Sequence, residues 1–178
     1  MNRVTPRYRR ALVPLDGSPV AESIIPFIVD IAGPLDMEVV LVRVVTPPVV
    51  QTGAPVPGLI VEELAARTSE AKDYLATVAA ELWGRGIRVQ MRVRTGTAVQ
   101  EILAAAREAG ADLIAMTTHG RSGLRRLVFG SVAEAVLRLS DSPVLLMRIT
   151  SAQAHARAAH DAIFAARRQS AADEPELR

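Results

Sequence analysis

The sequence contains no cysteine and very few aromatic residues. Cysteine is absent from all 178 positions, which excludes disulfides, thiol catalysis and thiolate metal sites. Aromatic residues make up 3% of the chain and hydrophobic residues 49%, so the core is predicted to be aliphatic. A chain of this length suits one domain with a core large enough to be stable alone.

Long hydrophobic runs and basic tracts are also missing. No run reaches the length of a membrane span, and no apolar N-terminal segment resembles a signal peptide. We therefore expect a cytoplasmic protein without a membrane partner. Lys72 is the only lysine among 21 basic residues, and the formal net charge is +2. The charges are spread along the chain without interleaved aromatic residues, which argues against a nucleic-acid partner.

Short apolar runs alternate with segments of helical spacing. The predicted strands are 10–15, 38–45, 87–94, 112–119 and 144–149, and each crossover between them is long enough for a helix. Right-handed crossovers then make a parallel, doubly wound sheet with helices on both faces, an α/β fold. The third strand alternates strictly between apolar and polar residues, so one of its faces is predicted to meet water and it is predicted to lie at an edge.

Proline and glycine mark the interruptions. Pro26, inside the first predicted helix, is expected on its outer side or at a kink. Residues 46–58 hold four prolines and two glycines, which predicts neither a regular helix nor a central strand before a long helix over 59–83. This segment is either a lid over a site or an exposed connector. We assign 7–150 to the domain and 151–178 to a helical, partly disordered extension.

The fourth strand runs into a glycine-containing loop that leads to a helix. Gly120 and Gly130 lie in this loop, and Ser131 stands where the helix is predicted to start. Backbone amides approach a phosphate closely where there is no Cβ, and a helix start favours an anion. The alternative is that the glycines are turn residues and Ser131 is an N-cap.

The pattern Thr117-x-x-Gly120-x9-Gly130-Ser131 resembles the nucleotide loop of the universal stress protein family, Gly-x-x-Gly-x9-Gly-(Ser/Thr). Thr117 replaces the first glycine of that loop. Matching segments run from about Tyr8 to Ile149. The resemblance implies a Rossmann-like, adenine nucleotide alpha hydrolase-like sheet of order 3-2-1-4-5 and a site for ATP with Mg²⁺.

The resemblance also implies roles for individual residues. Asp16 would accept a hydrogen bond from the adenine amino group, beside the backbone of Val44 and the side chain of Met116. Apart from the resemblance, the position of Arg121 next to Gly120 predicts that it neutralises phosphate charge; the alternative is that it faces solvent. The other implied positions are Pro14 near the base, Thr117 at the start of the loop, and Gly120, Gly130, Ser131 and Val132 around the phosphates.

Asp16 ends strand 1, and Thr117–Gly120 ends strand 4. In the implied order the chain reverses direction between these two strands, and open α/β sheets bind ligands at such a switch point. Two separate segments therefore converge on one crevice. On local sequence alone, a turn-forming role for Asp16 is the better explanation; the family resemblance favours the functional role.

Three functions remain open at this stage. The leading one is a non-enzymatic, ATP-binding stress or regulatory protein. The second is a dimeric interaction module with an empty crevice, motivated by Thr117. The third is a slow ATPase or phosphotransfer enzyme, for which His119 is the conspicuous base; a hydrogen-bonded loop histidine is the simpler interpretation, and we assign no catalytic or metal-binding residue.

Strand 5, Val144–Ile149, carries apolar side chains on both faces although it is predicted at a sheet edge. An exposed apolar edge is a template for pairing with another strand. We therefore predict a homodimer in which strand 5 pairs antiparallel with its copy. The alternative is that a helix from the C-terminal extension covers this edge.

Overall fold

A five-stranded parallel sheet forms the centre of the computed structural model, which describes residues 8–47, 57–118 and 130–148. Neighbouring strands lie in the order β3-β2-β1-β4-β5 and every pair is parallel. This confirms the predicted class and order, including the edge position of β3. The strands are β1 Arg10–Pro14, β2 Glu38–Val45, β3 Arg88–Thr95, β4 Leu113–Thr118 and β5 Val144–Arg148.

Helices cover both faces of the sheet. They are α1 Pro19–Glu22, α2 Ile24–Ala32, α3 Pro57–Trp83, α4 Ala98–Ala109 and α5 Ser131–Leu139. One cluster of buried residues joins the sheet to α2 and α3, and a second joins its other face to α4 and α5. Both clusters consist of Ala, Val, Leu, Ile and Met, so the aliphatic core is as predicted. None of the helices within the described ranges is long and apolar enough to cross a membrane.

Two helices differ from their predicted bounds. The first predicted helix is divided at Ser23, because Pro26 has no amide to donate to the carbonyl of Glu22 one turn earlier; Pro26 itself is exposed. The long helix begins at Pro57 and not at Leu59. Proline at a first helical position sacrifices no intrahelical hydrogen bond, so the prediction that 46–58 is irregular throughout was wrong at its end. Residues 48–56, the proposed lid or connector, lie outside the described ranges, as do residues 149–178.

The alternation of β3 predicted that its polar face meets water, but α4 covers part of this face. Arg94 pairs with Glu101 at 2.8 Å and with Glu108 at 2.9 Å, both on α4. Arg92 lies 3.5 Å from the same Glu108. The helix that crosses this face brings carboxylates over the arginines, and strand periodicity alone could not show that a helix would lie there.

A polar network holds the amino-terminal ends of the strands. The carboxylate of Glu38 accepts hydrogen bonds from Arg10 at 2.6 Å and from Gln90 at 2.7 Å. These bonds join the neighbouring strands β1, β2 and β3. Partial burial alone would raise the pKa of Glu38, but these hydrogen bonds and the positive charge of Arg10 bring it below its ordinary value. The charged form of Glu38 is therefore favoured by folding.

Candidate functional site

A cavity of about 230 Å³ lies at the carboxyl ends of β1, β2 and β4. It opens where β1 and β4 are adjacent, the switch point of the sheet order. Ligands of open α/β sheets bind at this place. The lining residues are Pro14, Leu15, Asp16, Ala21, Val42, Val44, Ala98, Ile102, Met116, Thr117, Gly130, Ser131, Val132 and Ala133.

Most residues singled out in the sequence line this one cavity. They come from three strands, the loop after β1 and the start of α5: Pro14, Asp16, Val44, Met116, Thr117, Gly130, Ser131 and Val132. Gly120 and Arg121 lie outside the described residues, as does His119. The geometry brings the eight described positions together; which ligand they bind is a separate question.

The loop after β1 is held by its own short-range hydrogen bonds. Asp16 Oδ1 accepts a hydrogen bond from the Ser18 amide at 2.9 Å. Ser18 Oγ in turn accepts a hydrogen bond from the Ala21 amide at 3.1 Å and caps α1. Gly17 between them has φ +83°, a conformation that favours glycine. Asp16 is therefore a turn-forming residue through one oxygen, while Oδ2 accepts no hydrogen bond from the described residues.

The start of α5 presents backbone amides to the cavity. Gly130 is the N-cap, with φ −59° and ψ 144° and no side-chain cap, and Ser131 is the first helical residue. The alternative of Ser131 as N-cap is therefore wrong. The first intrahelical bond runs from the Glu134 amide to the Gly130 carbonyl at 2.9 Å. The amides before it have no partner inside the helix, and this end carries the positive pole of the helix dipole.

The remaining wall of the cavity is apolar and was not predicted. Ala98 and Ile102 lie one turn apart on α4 and face the cavity, opposite Val42 and Val44 of β2. The contribution of Val42 follows from strand alternation, since it lies on the same face as Val44. That of α4 does not, because nothing local in the sequence says which strand ends a helix will cover.

Within the part of the chain that the structure describes, no group of three or more His, Cys, Asp or Glu side chains could hold a metal ion.

Comparison with known proteins decides the family. The model of the universal stress protein family matches residues 7–148. The chain belongs to the universal stress protein family. Universal stress protein MJ0531 of Methanocaldococcus jannaschii is 35% identical over 145 residues, which cover 79% of this chain and 82% of that protein.

Solved structures agree with this family assignment. That of MJ0577, a universal stress protein of the same organism, matches with a TM-score of 0.68 at 27% identity and covers 82% of this chain and 99% of its own. The universal stress protein of Archaeoglobus fulgidus in complex with dAMP matches with a TM-score of 0.55 at 21% identity, covering 79% of this chain and 98% of its own. Likeness at that identity shows the fold alone.

Proposed function

We propose that this universal stress protein binds an adenine nucleotide, ATP with Mg²⁺, in the crevice between β1 and β4. In this proposal it acts as a non-enzymatic regulatory protein of the stress response. The observation that carries the proposal is the single cavity at the switch point, which gathers eight nucleotide-site positions from β1, β2, β4 and α5. The dAMP complex of the Archaeoglobus fulgidus relative supports the class of ligand.

The base would occupy the inner part of the cavity. Pro14, Val44 and Met116 supply apolar surface there, and Asp16 offers Oδ2 to the adenine amino group. A volume of about 230 Å³ is below the roughly 300–1,000 Å³ of sites that enclose a drug-sized ligand. The cavity thus suits base and ribose, with the phosphates lying towards its mouth.

The phosphates would lie against the start of α5. The amides of Ser131 and Val132, which have no partner inside the helix, lie at this end, and Gly130 has no Cβ to obstruct an approach. Mg²⁺ would be held mainly by the phosphates and by water. These backbone groups would bind and orient the phosphates of the nucleotide; none of them is proposed as a catalytic base.

The direct test is mass spectrometry of nucleotide released from purified, heat-denatured protein, with thermal melting in the presence and absence of Mg-ATP. We expect released adenine nucleotide, or a melting temperature that rises with ATP, because a ligand bound only by the native state stabilises it. If no adenine nucleotide is released and the melting temperature does not rise at millimolar ATP, the proposal is wrong.

Thr117 favours one competing function, an interaction module with an empty crevice. Thr117 lines the cavity, and the family loop has glycine at this position. If the Cβ and hydroxyl restrict the site, Thr117→Gly should tighten ATP binding, measured by titration calorimetry. A wild-type protein that binds no ATP, together with a Thr117→Gly variant that does, would support the empty-crevice module. Phosphate release no greater than that of a Gly130→Asp control would exclude an ATPase.

We further propose that the protein forms a homodimer through β5. This strand lies at the edge of the sheet beside β4. Its apolar residues from Val144 to Met147 are only half-buried on both faces. Antiparallel pairing with a second copy would satisfy its free backbone groups and cover that surface. Ile149, the last residue of the predicted strand, lies outside the described residues.

A further inference from the structure

Arg43 is the one charged residue of β2 apart from Glu38 at its start, and the proposed site does not use it. Its neighbours Val42 and Val44 line the cavity. Because successive side chains of a strand point to opposite faces, Arg43 lies on the other face, towards α3. Its side chain is only 18% exposed, so a structural reason for its charge should be visible in its contacts.

The guanidinium of Arg43 lies between α3 and the loop after β1. On the helix side it is 3.2 Å from Glu70 Oε1 and 4.8 Å from the centre of the Tyr74 ring. On the loop side, three of its atoms lie 3.2–3.3 Å from the point where a Cβ on Gly17 would stand. A planar group therefore packs against the one residue of this loop that has φ +83°.

The groups around Arg43 on α3 are a neutral aromatic ring and a carboxylate. Burial raises the pKa of the Tyr74 hydroxyl, and the nearby carboxylate of Glu22 raises it further, outweighing the opposite effect of Arg43. Tyr74 consequently stays protonated at physiological pH. The face of an aromatic ring attracts a guanidinium, so the Tyr74 ring and the carboxylate of Glu70 both favour this position of Arg43.

We infer that Arg43 is a positioning residue for Asp16: it supports Gly17 from the face of the sheet opposite the cavity. The residue before Gly17 is Asp16, whose Oδ1 accepts a hydrogen bond from the Ser18 amide and whose Oδ2 would bind the proposed base. A shift of Gly17 would turn this carboxylate. The inference rests on the proposed function for its ligand, although the support of the loop can be measured without one.

The readout is selectivity between ATP and ITP, measured by titration calorimetry. ATP offers an amino group to Asp16, whereas ITP presents a carbonyl oxygen that would face the carboxylate. A site built around such a hydrogen bond discriminates strongly against the analogue that lacks it. For Arg43→Met we expect the ratio of ATP to ITP affinity to fall about tenfold, the size of one lost hydrogen bond to a charged group, with ITP affinity little changed.

Two controls separate positioning from stability. Val78→Ala removes buried volume from α3 away from the loop and should lower the melting temperature while leaving the ratio unchanged. Arg43→Lys keeps the charge but not the planar fork, so it should behave as Arg43→Met does. It also serves as the second variant if Arg43→Met does not fold.

A double-mutant cycle tests the route through Asp16. Asp16→Ala alone should abolish selectivity, and adding Arg43→Met should change the ratio no further, because residues that act through one another are not additive. Unchanged selectivity in Arg43→Met, or an additive double variant, would overturn the inference.

If the wild-type protein binds neither nucleotide, the proposed function is wrong, but the support of the loop by Arg43 can still be measured. Hydrogen exchange of the Ser18 amide, which donates to Asp16, should then be faster in Arg43→Met than in Val78→Ala. Equal exchange in the two variants would refute the positioning role.

Discussion

Replacing Gly130 with Asp should stabilise the protein and abolish nucleotide binding at the same time. Gly130 is the N-cap of α5 and its backbone is extended, with no side-chain cap present. Aspartate is among the preferred residues at this position, because its carboxylate accepts hydrogen bonds from the first helical amides. Those are the amides that the proposed phosphate would use, so the new side chain competes with the ligand as an internal anion.

The two effects have opposite signs and separable sizes. Asp in place of Gly at an N-cap contributes a few tenths of a kcal/mol, and a negative charge at a helix start about 0.3–1 kcal/mol. At roughly 2–4 °C per kcal/mol for a chain of this size, the melting temperature without ligand should rise by about 1–4 °C. ATP at 100 times its Kd stabilises the wild type by about 2.7 kcal/mol, which corresponds to about 5–10 °C. In Gly130→Asp this second rise should vanish.

The assay is thermal melting followed by circular dichroism, with and without Mg-ATP. Gly130→Asn is the matched variant, since it caps the helix without a charge and should keep more of the ATP-dependent rise than Gly130→Asp. A Gly130→Asp protein that retains the full rise would show that the phosphates do not lie at α5. One that melts lower than wild type without ligand would show that the capping argument is wrong.

Two further predictions concern stability and assembly. Glu38→Gln should lower the free energy of unfolding at pH 7 by about 1–2 kcal/mol, because the acceptor of two hydrogen bonds is then no longer charged. The control Glu81→Gln, in an exposed pair with Arg85, should lower it by about 0.5 kcal/mol or less. Since folding lowers the pKa of Glu38, its contribution is full above about pH 4.3, the unfolded value, and is lost as the pH falls through the folded value. Denaturant titrations across this range check the loss, and a wild-type advantage that persists in strong acid would contradict it. For assembly, Leu146→Arg should convert a dimer to a monomer in sedimentation at micromolar concentration, because burying an unpaired charge is costly. The control Val61→Arg, at a residue that is 68% exposed on α3, should leave the dimer intact, and a wild-type monomer would refute the β5 interface.

Local patterns in the sequence were sufficient to predict the order of strands and helices. Strict alternation identified β3 as an edge strand, and Gly110 ends α4 in a left-handed conformation that favours glycine. The switch-point cavity was predictable in the same way, because Asp16 follows β1, Thr117 lies near the end of β4, and parallel strands end at one edge. The family resemblance supplied the sheet order, and with it the adjacency of β1 and β4.

Tertiary structure decided which elements cover these strand ends and faces. The apolar wall from Ala98 and Ile102, the carboxylates of α4 over Arg94, and the packing of Arg43 against Gly17 all join residues from different elements. Such contacts depend on how helices cross the sheet, which no window of neighbouring residues records. The sequence by itself therefore determined where chemistry could occur, and the packing of α3 and α4 against the sheet determined the shape of the cavity and what supports it.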